Sequence, residues 1–439
     1  MNCHTGIDLY KRAKKIIPGG TQLLSKRPEL FLPGQWPAYY SKCNGVEVSD
    51  LDGNEFIDMS ICGVGACILG YADPDVDRAV KNAIDSGTMC TLNCPEEVEL
   101  AELLCELHPW ADMVRFARGG GEAMSVAVRI ARAATGRDRV AFCGYHGWHD
   151  WYLAANLADD SNLDGQLLPG LAPAGIPRSL QATAIPFNYN QPESLDAIVD
   201  EDEQKPAAIV MEPVRHSEPE AGFLEYVRET ADRTGAVLIF DEVTSGWRMN
   251  NGGIHLLYGV NPDIAVFAKG ISNGYPMAAL IGCSPVMEAA QRSFISSTYW
   301  TEKIGPAAAL ATIRKMMSCN VPEYLNRTGI SIRKIWRDNA RKYGIKAMIH
   351  GIPPLSVLSF KYEDMSQALH TLFTQEMLNR GFLASKAFYA TYVHNEEHIN
   401  AYEKAVEEVF KIIADTINEN SPDVYLKGPV AHNGFKRLA

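Results

Sequence analysis

An acidic residue and a lysine, Asp241 and Lys269, each close a short apolar run in this 439-residue chain. The runs at 236–240 and 264–268 predict buried parallel strands, and a charge at the end of such a strand is costly unless it has a partner. A lysine amine that reaches a carbonyl carbon and a carboxylate that reaches a ring nitrogen are what a pyridoxal phosphate site requires. An ordinary, partly buried salt bridge is the alternative.

A run of three glycines at 119–121 follows an apolar segment at 114–116 and precedes a helical pattern at 123–134. Glycines there let bare backbone N–H groups approach an anion, and a helix N-terminus adds partial positive charge. Gly120 and Gly121 are therefore candidate phosphate-binding residues, with a plain glycine turn as the alternative. The run matches neither a P-loop nor a dinucleotide fingerprint.

Further polar and aromatic residues follow predicted strands. Tyr145 could stack on a flat ring, and Glu212 could orient a ring partner or merely cap a loop. His146, His149 and Asp150 indicate a metal site only weakly, because no second ligand cluster accompanies them. In open α/β sheets the ligand crevice lies outside the carboxyl ends of the strands, which is where all these candidates fall.

The elements that must position these residues follow one another regularly. From about 61 to 320, helical patterns alternate with short apolar runs, which predicts an α/β fold with a mostly parallel sheet covered by helices. An irregular stretch from about 153 to 186 predicts a long loop of the kind that covers active sites. Seven strands are predicted, at 113–116, 139–143, 207–211, 236–240, 264–268, 278–283 and 296–299.

The two ends of the chain predict a second, smaller domain. A hairpin with Asp52-Gly53 as its turn is predicted between runs at 46–50 and 55–58. Patterns of an α/β type return after residue 321. We therefore expect a large domain over 61–320 and a small domain formed by 1–60 together with 321–439.

The composition narrows the class of protein. Hydrophobic residues make up 46% and charged residues 21% of the chain, as in ordinary globular proteins. A formal net charge of -12 argues against nucleic acid or an anionic membrane as the main partner. No apolar run approaches the length of a membrane span, and no signal peptide is recognisable. Ten dispersed cysteines without a CxxC pair predict reduced thiols and a cytoplasmic protein.

Several segments resemble one protein family. The segment Asp241-Glu-Val-Thr-Ser-Gly-Trp-Arg248, with Lys269-Gly270, is similar to the signature of class III (ω-type) aminotransferases. Within that class the chain most resembles glutamate-1-semialdehyde 2,1-aminomutase-like proteins, from about residue 8 to 415. Further segments fit the same pattern: Pro18-Gly-Gly20, Asp52-Gly-Asn-Glu55, Arg129-Ile-Ala-Arg132, Thr135-Gly-Arg-Asp138, Tyr145-His-Gly147, Gly259-Val-Asn-Pro-Asp263 and Gly274-Tyr-Pro276.

The resemblance implies the fold-type I architecture, with a mostly parallel seven-stranded sheet, and pyridoxal 5'-phosphate as cofactor. It implies that Lys269 forms the Schiff base with the cofactor and later moves the substrate proton. It also implies that Asp241 keeps the ring nitrogen protonated, so that the ring accepts electrons. Tyr145 and Val243 would hold the ring between them.

The same resemblance supplies the remaining cofactor contacts. Gly120 and Gly121 would hold the phosphate, helped by Thr301 of a neighbouring subunit. His146 and Glu212 complete the expected cofactor-binding set. A complete site then requires a homodimer with its active sites at the subunit interface.

Departures from the family pattern concern the phosphate and the substrate. The usual Ser-Gly-Thr is replaced by the glycines 119–121, so backbone donors must replace the lost hydroxyl contacts. A carboxylate-binding arginine of the aminomutases falls on Lys26, with Leu23 in place of a serine. A C-terminal active-site glutamate falls on Lys386, and a tryptophan becomes a smaller residue near Val64. The change from glutamate to lysine inverts the local charge and argues against glutamate semialdehyde as substrate.

The predicted function is an aminotransferase that moves an amino group between an amino-acid donor and an aldehyde or ketone acceptor. Lys26 and Lys386 favour an acceptor with an anionic group, such as a sugar nucleotide or a keto acid. An aminomutase, which moves the amino group within one substrate, is the first alternative. A binding or regulatory protein that keeps only the fold is the second, and intact Asp241, Lys269 and Tyr145 argue against it.

Overall fold

The computed structural model describes residues 4–166, 169–200, 205–214 and 217–434. The chain divides into two units, one formed by Met1–Asp73 with Glu323–Ala439 and the other by Pro74–Pro322. The boundary predicted at 60/61 therefore lies inside the first unit, and the one predicted at 320/321 lies close to the end of the second.

The strands are β1 (Tyr40–Asn44), β2 (Glu47–Asp50), β3 (Glu55–Asp58), β4 (Met113–Ala117), β5 (Val140–Cys143), β6 (Ala184–Pro186), β7 (Ala208–Met211), β8 (Val237–Asp241), β9 (Ile264–Phe267), β10 (Ala278–Gly282), β11 (Ala347–His350), β12 (Leu355–Phe360), β13 (Phe382–Leu383) and β14 (Ala387–Tyr389).

The α-helices are α1 (His4–Ile16), α2 (Pro74–Asp85), α3 (Pro95–Leu107), α4 (Gly120–Thr135), α5 (Asp150–Leu153), α6 (Pro192–Asp200), α7 (Phe223–Thr234), α8 (His255–Tyr258), α9 (Ser284–Met287), α10 (Ile304–Ser318), α11 (Val321–Lys342), α12 (Ser366–Asn379), α13 (Glu396–Glu419) and α14 (Pro422–Tyr425). None of these described helices is both long enough and apolar enough to cross a bilayer.

The unit Pro74–Pro322 is built on a sheet that, within the described residues, has seven strands in the order β4-β10-β9-β8-β7-β5-β6. Strand β10 is antiparallel to both of its neighbours, and the other pairs are parallel. The predicted α/β fold with a mostly parallel seven-stranded sheet is therefore confirmed.

The sheet is buried on both faces, which explains its continuous apolar runs. On β8, Val237 and Ile239 pack into the core with α4, whereas Leu238 and Phe240 pack into the core with α7. Asp241 continues this alternation and falls on the α4 side of the strand end.

Helix α4 owes its position to an apolar face and to well-defined ends. Residues from Ala123 to Ala131 bury most of their side chains against the sheet. Gly136 ends the helix with φ +69°, the left-handed conformation in which glycine is favoured. Truncating the fully buried Ile130 to alanine would cost roughly 2–5 kcal/mol, so the core holds the N-terminus of α4 firmly at the sheet edge.

One of the seven strand predictions is wrong. Residues 296–299 do not form a strand; they lead into a 3-10 turn at Thr298–Thr301, where the side chains are largely exposed. The seventh strand of the sheet is β6, which lies at the end of the predicted loop 153–186. The described part of that loop also holds 3-10 turns at Ala154–Leu157 and Arg178–Leu180.

The unit formed by both chain ends contains two small sheets among its described residues, β1-β2-β3-β13 and β11-β12-β14. The predicted hairpin is present as β2 and β3, and Gly53 at its turn has φ +80°. Helix α13 begins at Asn395, whose side chain accepts a hydrogen bond from the N–H of His398 (3.0 Å).

Candidate active site

Asp241 is buried at the carboxyl end of β8 with partners on both carboxylate oxygens. Its Oδ1 accepts a hydrogen bond from the N–H of Val243 (3.0 Å), and its Oδ2 lies 2.8 Å from Nδ1 of His146. The other ring nitrogen of His146 lies 3.1 Å from the carbonyl oxygen of Cys143. His146 therefore bridges the carboxylate of Asp241 and the backbone at the end of β5.

The glycine turn at the start of α4 packs directly against the residues that follow β8. A Cβ on Gly120 would lie 2.9 Å from Cγ1 of Val243, closer than real side chains approach. A Cβ on Gly121 would lie 3.1 Å from Nδ1 of His149, and one on Gly147 would lie 2.9 Å from the Cα of Gly121. Glycine at these positions therefore lets the first turn of α4 lie close to the strand ends.

The polar groups of this turn favour an anion. The carboxylate of Glu122 accepts hydrogen bonds from the N–H groups of Arg118 (2.8 Å) and Gly119 (3.3 Å), which fixes the chain as it enters the helix. The next N–H groups begin the helix, where no preceding turn supplies an acceptor. Together with the helix dipole, these N–H groups at Gly120 and Gly121 are arranged in a way that favours an anion such as phosphate.

Lys269 follows β9 in a conformation that is rare for its residue type. Its φ is +50°, and the left-handed region costs an L-residue about 1–2 kcal/mol. Such strain persists where the surrounding structure imposes it, most often at functional sites. The Nζ atom donates a hydrogen bond to Oγ1 of Thr244 (2.8 Å), and Thr244 directly follows Val243, which binds Asp241. The lysine amine is thus tied to the segment that carries the acid.

Glu212 fastens the backbone of Tyr145. Its Oε2 accepts a hydrogen bond from the N–H of Tyr145 (3.0 Å), and the Glu212 residue is only 4% exposed. Glycine at position 144 lets Glu212 come this close, because a Cβ on Gly144 would lie 2.7 Å from Oε2 of Glu212. The φ of Gly144 is +110°, which also favours glycine. The ring of Tyr145 packs edge-to-face on Tyr152, with centroids 6.0 Å apart. Glu212 therefore holds the loop that presents the aromatic ring.

A second buried acid, Glu242, lies beside Asp241 but belongs to a different network. Its Oε1 accepts hydrogen bonds from the N–H (3.0 Å) and Nδ1 (2.9 Å) of His255, and its Oε2 accepts one from Ser245 (2.6 Å). Burial alone would raise the pKa of Glu242, but its interactions with His255 and Ser245 lower it overall. Trp110 donates to Nε2 of His255 (3.0 Å) and completes the network.

Thr301 is exposed, and its segment is held by Arg118. The guanidinium donates to Oε1 of Glu302 (2.9 Å) and to the carbonyl oxygens of Trp300 and Glu302 (both 3.0 Å). The hydroxyl of Thr301 donates to the carbonyl oxygen of Thr298 (3.0 Å). Arg118 thereby fixes the Thr301 segment relative to the glycine turn.

The three predicted substrate residues, Lys26, Val64 and Lys386, lie in the unit formed by both chain ends, whereas Asp241 and Lys269 lie in the other. Lys26 ends a 3-10 turn at Leu24–Lys26. Lys386 immediately precedes β14. The segment that leads to Val64 contacts the same region, since the hydroxyls of Ser60 and Ser385 lie 2.8 Å apart.

Val64 lies in a left-handed turn. Residues Cys62, Gly63, Val64 and Gly65 have φ values of +38°, +67°, +58° and +79°. The N–H of Gly65 closes the turn on the carbonyl oxygen of Ile61 (2.7 Å). A β-branched residue is an outlier in this region, so the turn at Val64 is strained.

Sequence reasoning named the residues at the strand ends but missed Thr244, Arg118 and the pairing of His146 with Asp241. Thr244 lies inside the segment 241–248 that resembles the family signature, and its hydroxyl group beside Asp241 could have marked it as a site residue. No group of three or more His, Cys, Asp or Glu side chains in the described part of the chain is arranged to hold a metal ion.

The comparison with known families is decisive. The profile of the family "Aminotransferase class-III" matches residues 33–411. The chain belongs to the class III aminotransferases. The family's cofactor is pyridoxal phosphate, and the residues present fit it: a buried acid, a lysine at a strand end and a glycine turn that opens a helix.

Individual relatives agree with this assignment. The chain is 31% identical over 418 residues to 3-aminobutyryl-CoA aminotransferase of Cloacimonas acidaminovorans, covering 92% of this chain and 95% of the relative. It is 31% identical over 430 residues to glutamate-1-semialdehyde 2,1-aminomutase of Ignicoccus hospitalis, covering 93% and 99%. A solved transaminase with bound pyridoxal phosphate superposes with a TM-score of 0.83 at 27% identity, covering 94% of this chain and 99% of that one.

Proposed function

We propose that this class III enzyme transfers an amino group from an amino-acid donor to a separate aldehyde or ketone acceptor. The observation that carries the proposal is the set of contacts at one sheet edge: Asp241 against His146, Gly120 against Val243, and Lys269 on Thr244. These contacts bring an acid, an anion-binding turn and an amine to the ends of neighbouring strands.

The proposed roles follow from these positions. When bound, pyridoxal phosphate would supply an electron sink that makes the C–H bond at the amino-bearing carbon of the amino compound acidic. Lys269 would hold the cofactor and move that proton at its Nζ, and Thr244 would accept a hydrogen bond from Nζ whenever the amine is released. Asp241, paired with His146, would hold a proton on a ring nitrogen. Tyr145 offers its ring face as a stacking surface.

Further side chains complete the proposed cofactor site. Gly120 and Gly121 bind the phosphate through backbone N–H groups. Val243 covers the face of the ring opposite Tyr145, and Glu212 keeps the loop of Tyr145 in place.

We infer a homodimer in which Thr301 reaches the phosphate of the partner's site. The segment around Thr301 is exposed and carries large apolar side chains, with Phe294 89% and Tyr299 71% exposed. Exposed apolar groups of this size are typical of a surface that another protein covers. Replacing Thr301 with Val should weaken cofactor binding while leaving the sedimentation coefficient of the dimer unchanged.

An acceptor with an anionic group is supported by positive charge around Lys386. Burial and the positive charges of Lys361, Lys386 and Arg333 lower the pKa of His350, so these cations lie near His350. Lys26 would add a further cation. The nine cysteines of the described residues are free thiols, which supports a reducing compartment, and we propose the cytoplasm.

The experiment that tests transfer between two molecules is a half-reaction screen. The cofactor-loaded enzyme is mixed with single amino compounds, and the visible absorbance of the cofactor is followed. We expect at least one donor to bleach the band and release its keto product, and an acceptor to restore it. Lys269→Ala should abolish the band of the covalently held cofactor in the untreated protein. If no donor in a broad panel bleaches the band, the proposed transfer is refuted.

Intramolecular transfer is the second candidate, because relatives of similar identity are named glutamate-1-semialdehyde 2,1-aminomutases. An aminomutase would convert one substrate without consuming a donor or releasing a keto acid. Conversion of glutamate semialdehyde with no keto-acid by-product would establish this candidate and exclude the first.

A further inference from the structure

A groove of mixed polar and apolar lining lies beside α4, apart from the proposed cofactor site. Its volume is about 480 Å³, within the range of small-molecule sites. None of its lining residues is among the proposed cofactor contacts, although His149 touches the back of Gly121. We call it the α4 groove; it is lined by Ser125, Val128, Arg129, Arg132, Trp148, His149, Asp150, Trp151 and Leu180.

Three of these residues carry a buried nitrogen that has no hydrogen-bond partner in the described structure: Nε1 of Trp151, Nη2 of Arg132 and Nδ1 of His149. Trp151 is only 6% exposed, so its indole N–H cannot be satisfied by bulk water. Buried donors are nearly always paired in proteins, and each exception requires an explanation. Nε1 of Trp151 and Nη2 of Arg132 are both donors, whereas Nδ1 of His149 faces Gly121. Two unpartnered donors that line one groove indicate a ligand that supplies acceptor atoms.

The charges of the groove favour an anion. Arg132 is anchored through its Nε, which donates to the carbonyl oxygen of Asp138 (2.8 Å), so that the rest of the guanidinium has a fixed direction. Arg129 is exposed and donates one bond to the carbonyl oxygen of Phe294 (3.2 Å). Asp150 is the single carboxylate among the described lining residues, and it is exposed. Two guanidinium groups therefore outweigh one acid.

The groove also offers an aromatic surface. Trp148 is 70% exposed and stacks on His149 with the ring centroids 4.3 Å apart. An indole held by a stacked neighbour is a preformed platform for a second flat ring, at little cost in side-chain entropy. The groove thus combines anion donors with a ring platform.

We propose that the α4 groove binds a small molecule that joins a phosphate group to a planar ring, the chemistry of a nucleoside phosphate. Arg132 and Trp151 donate to the phosphate oxygens, Arg129 adds positive charge, and Trp148 stacks on the base. The proposal stands independently of the donor and acceptor of the amino group.

The test is isothermal titration calorimetry of the cofactor-loaded enzyme with uridine diphosphate, with pyrophosphate and with uridine. Loading the enzyme keeps its phosphate site filled. A nucleotide that binds at the acceptor site instead would be unaffected by substitutions in the groove, so the variants below assign the heat. We expect uridine diphosphate to bind at least about ten-fold tighter than either fragment, because only the whole molecule uses both parts of the groove. No heat up to about 1 mM would overturn the proposal.

Variants separate a ligand site from a structural role. Trp151→Phe removes the unpartnered N–H together with part of the indole ring; it should weaken uridine diphosphate about ten-fold, and its loss of melting temperature should match that of Trp247→Phe. Trp247→Phe is the matched control, since Nε1 of Trp247 is also buried and unpartnered but lies outside the groove. Equal weakening by both variants would overturn the proposal.

Arg129 and Trp148 are exposed, so substitutions at these two positions test ligand binding without disturbing the core. Arg129→Gln should weaken uridine diphosphate and pyrophosphate alike, whereas Trp148→Ala should weaken the nucleotide and spare pyrophosphate. Dissociation of the dimer by Trp148→Ala in sedimentation would instead show that a second copy of the chain covers the groove, and would overturn the proposal.

Discussion

Replacing Gly120 with alanine tests whether the glycine turn is packed against the cofactor segment. The added Cβ would lie 2.9 and 3.1 Å from the two γ-methyl carbons of Val243 and 3.6 Å from Cβ of Ala268. The φ of Gly120 is not in the left-handed region, so the backbone itself tolerates alanine. A loss of stability on substitution would therefore come from the contact with Val243.

The expected magnitude is the difference between two terms. Forcing an extra methyl group into a packed site costs about 1–3 kcal/mol. Alanine at the first position of α4 recovers up to about 1 kcal/mol over glycine through helix propensity. The net loss should be roughly 1–2 kcal/mol in the free energy of unfolding. Displacement of Val243 should also weaken pyridoxal phosphate by about ten-fold, which corresponds to about 1.4 kcal/mol.

The assays are chemical denaturation of the cofactor-free protein and an absorbance titration with pyridoxal phosphate. Gly165→Ala is the control, because a Cβ on Gly165 would meet nothing within 4 Å. Adding Val243→Ala to Gly120→Ala should restore stability, with a coupling energy of about 1–2 kcal/mol. A Gly120→Ala variant more stable than the parent, with no coupling to Val243, would refute this reasoning.

Three further predictions concern buried charge, pH and strain. His146→Phe should lower the free energy of unfolding by about 3 kcal/mol in chemical denaturation, because it leaves one oxygen of the buried Asp241 carboxylate without its partner. Asp241→Asn on that background should recover part of the loss. Burial lowers the pKa of His394 from 6.5 to about 4, so the unfolded chain binds a proton at a higher pH than the folded chain does. The contribution of His394 to the free energy of unfolding is therefore complete above pH 6.5 and is lost as the pH falls toward 4. His394→Gln should flatten this pH dependence in a series of denaturation experiments. An unchanged slope would contradict this. Val64→Gly should raise the free energy of unfolding by about 0.5–1 kcal/mol, because relief of the left-handed strain exceeds the entropy cost of glycine; a loss of more than 1 kcal/mol would contradict it.

The strands of the large sheet were predictable because their burial on both faces leaves continuous apolar runs. Predicted strand ends at 143 and 211 coincide with those of β5 and β7, and others differ by one residue. The segment 296–299 misled the prediction because serine, threonine and tyrosine favour strands locally. Its side chains are largely exposed and no sheet partner is available, so tertiary contacts to Arg118 decide its conformation. Strand β6 was missed because its three residues are too few to show a pattern.

The sequence predicted which site residues follow each strand, but not which of them contact one another. Each strand end marks where a side chain reaches the sheet edge, but not which side chain meets which. His146 and Asp241 are 95 positions apart, and their pairing depends on the register between β5, β7 and β8. The hydrogen bond from Lys269 to Thr244 likewise depends on neighbouring strands. Sequence order alone contains no such cross-strand distances.

The adjacent acids at the end of β8 show why the functional role falls on Asp241. Successive residues of an extended chain point to opposite faces, so the two carboxylates belong to different networks. Glu242 is fully buried, and it accepts three hydrogen bonds from His255 and Ser245, which nearly fills its capacity of about four.

Asp241 accepts two hydrogen bonds within the described structure, from Val243 and His146, and so keeps acceptor capacity for a ring nitrogen. His146 joins the carboxylate of Asp241 to the carbonyl oxygen of Cys143, whereas His255 completes a buried network around Glu242. The difference in hydrogen-bond capacity, rather than the presence of an acid at a strand end, therefore distinguishes the residue that can hold a cofactor from the one that stabilises the fold.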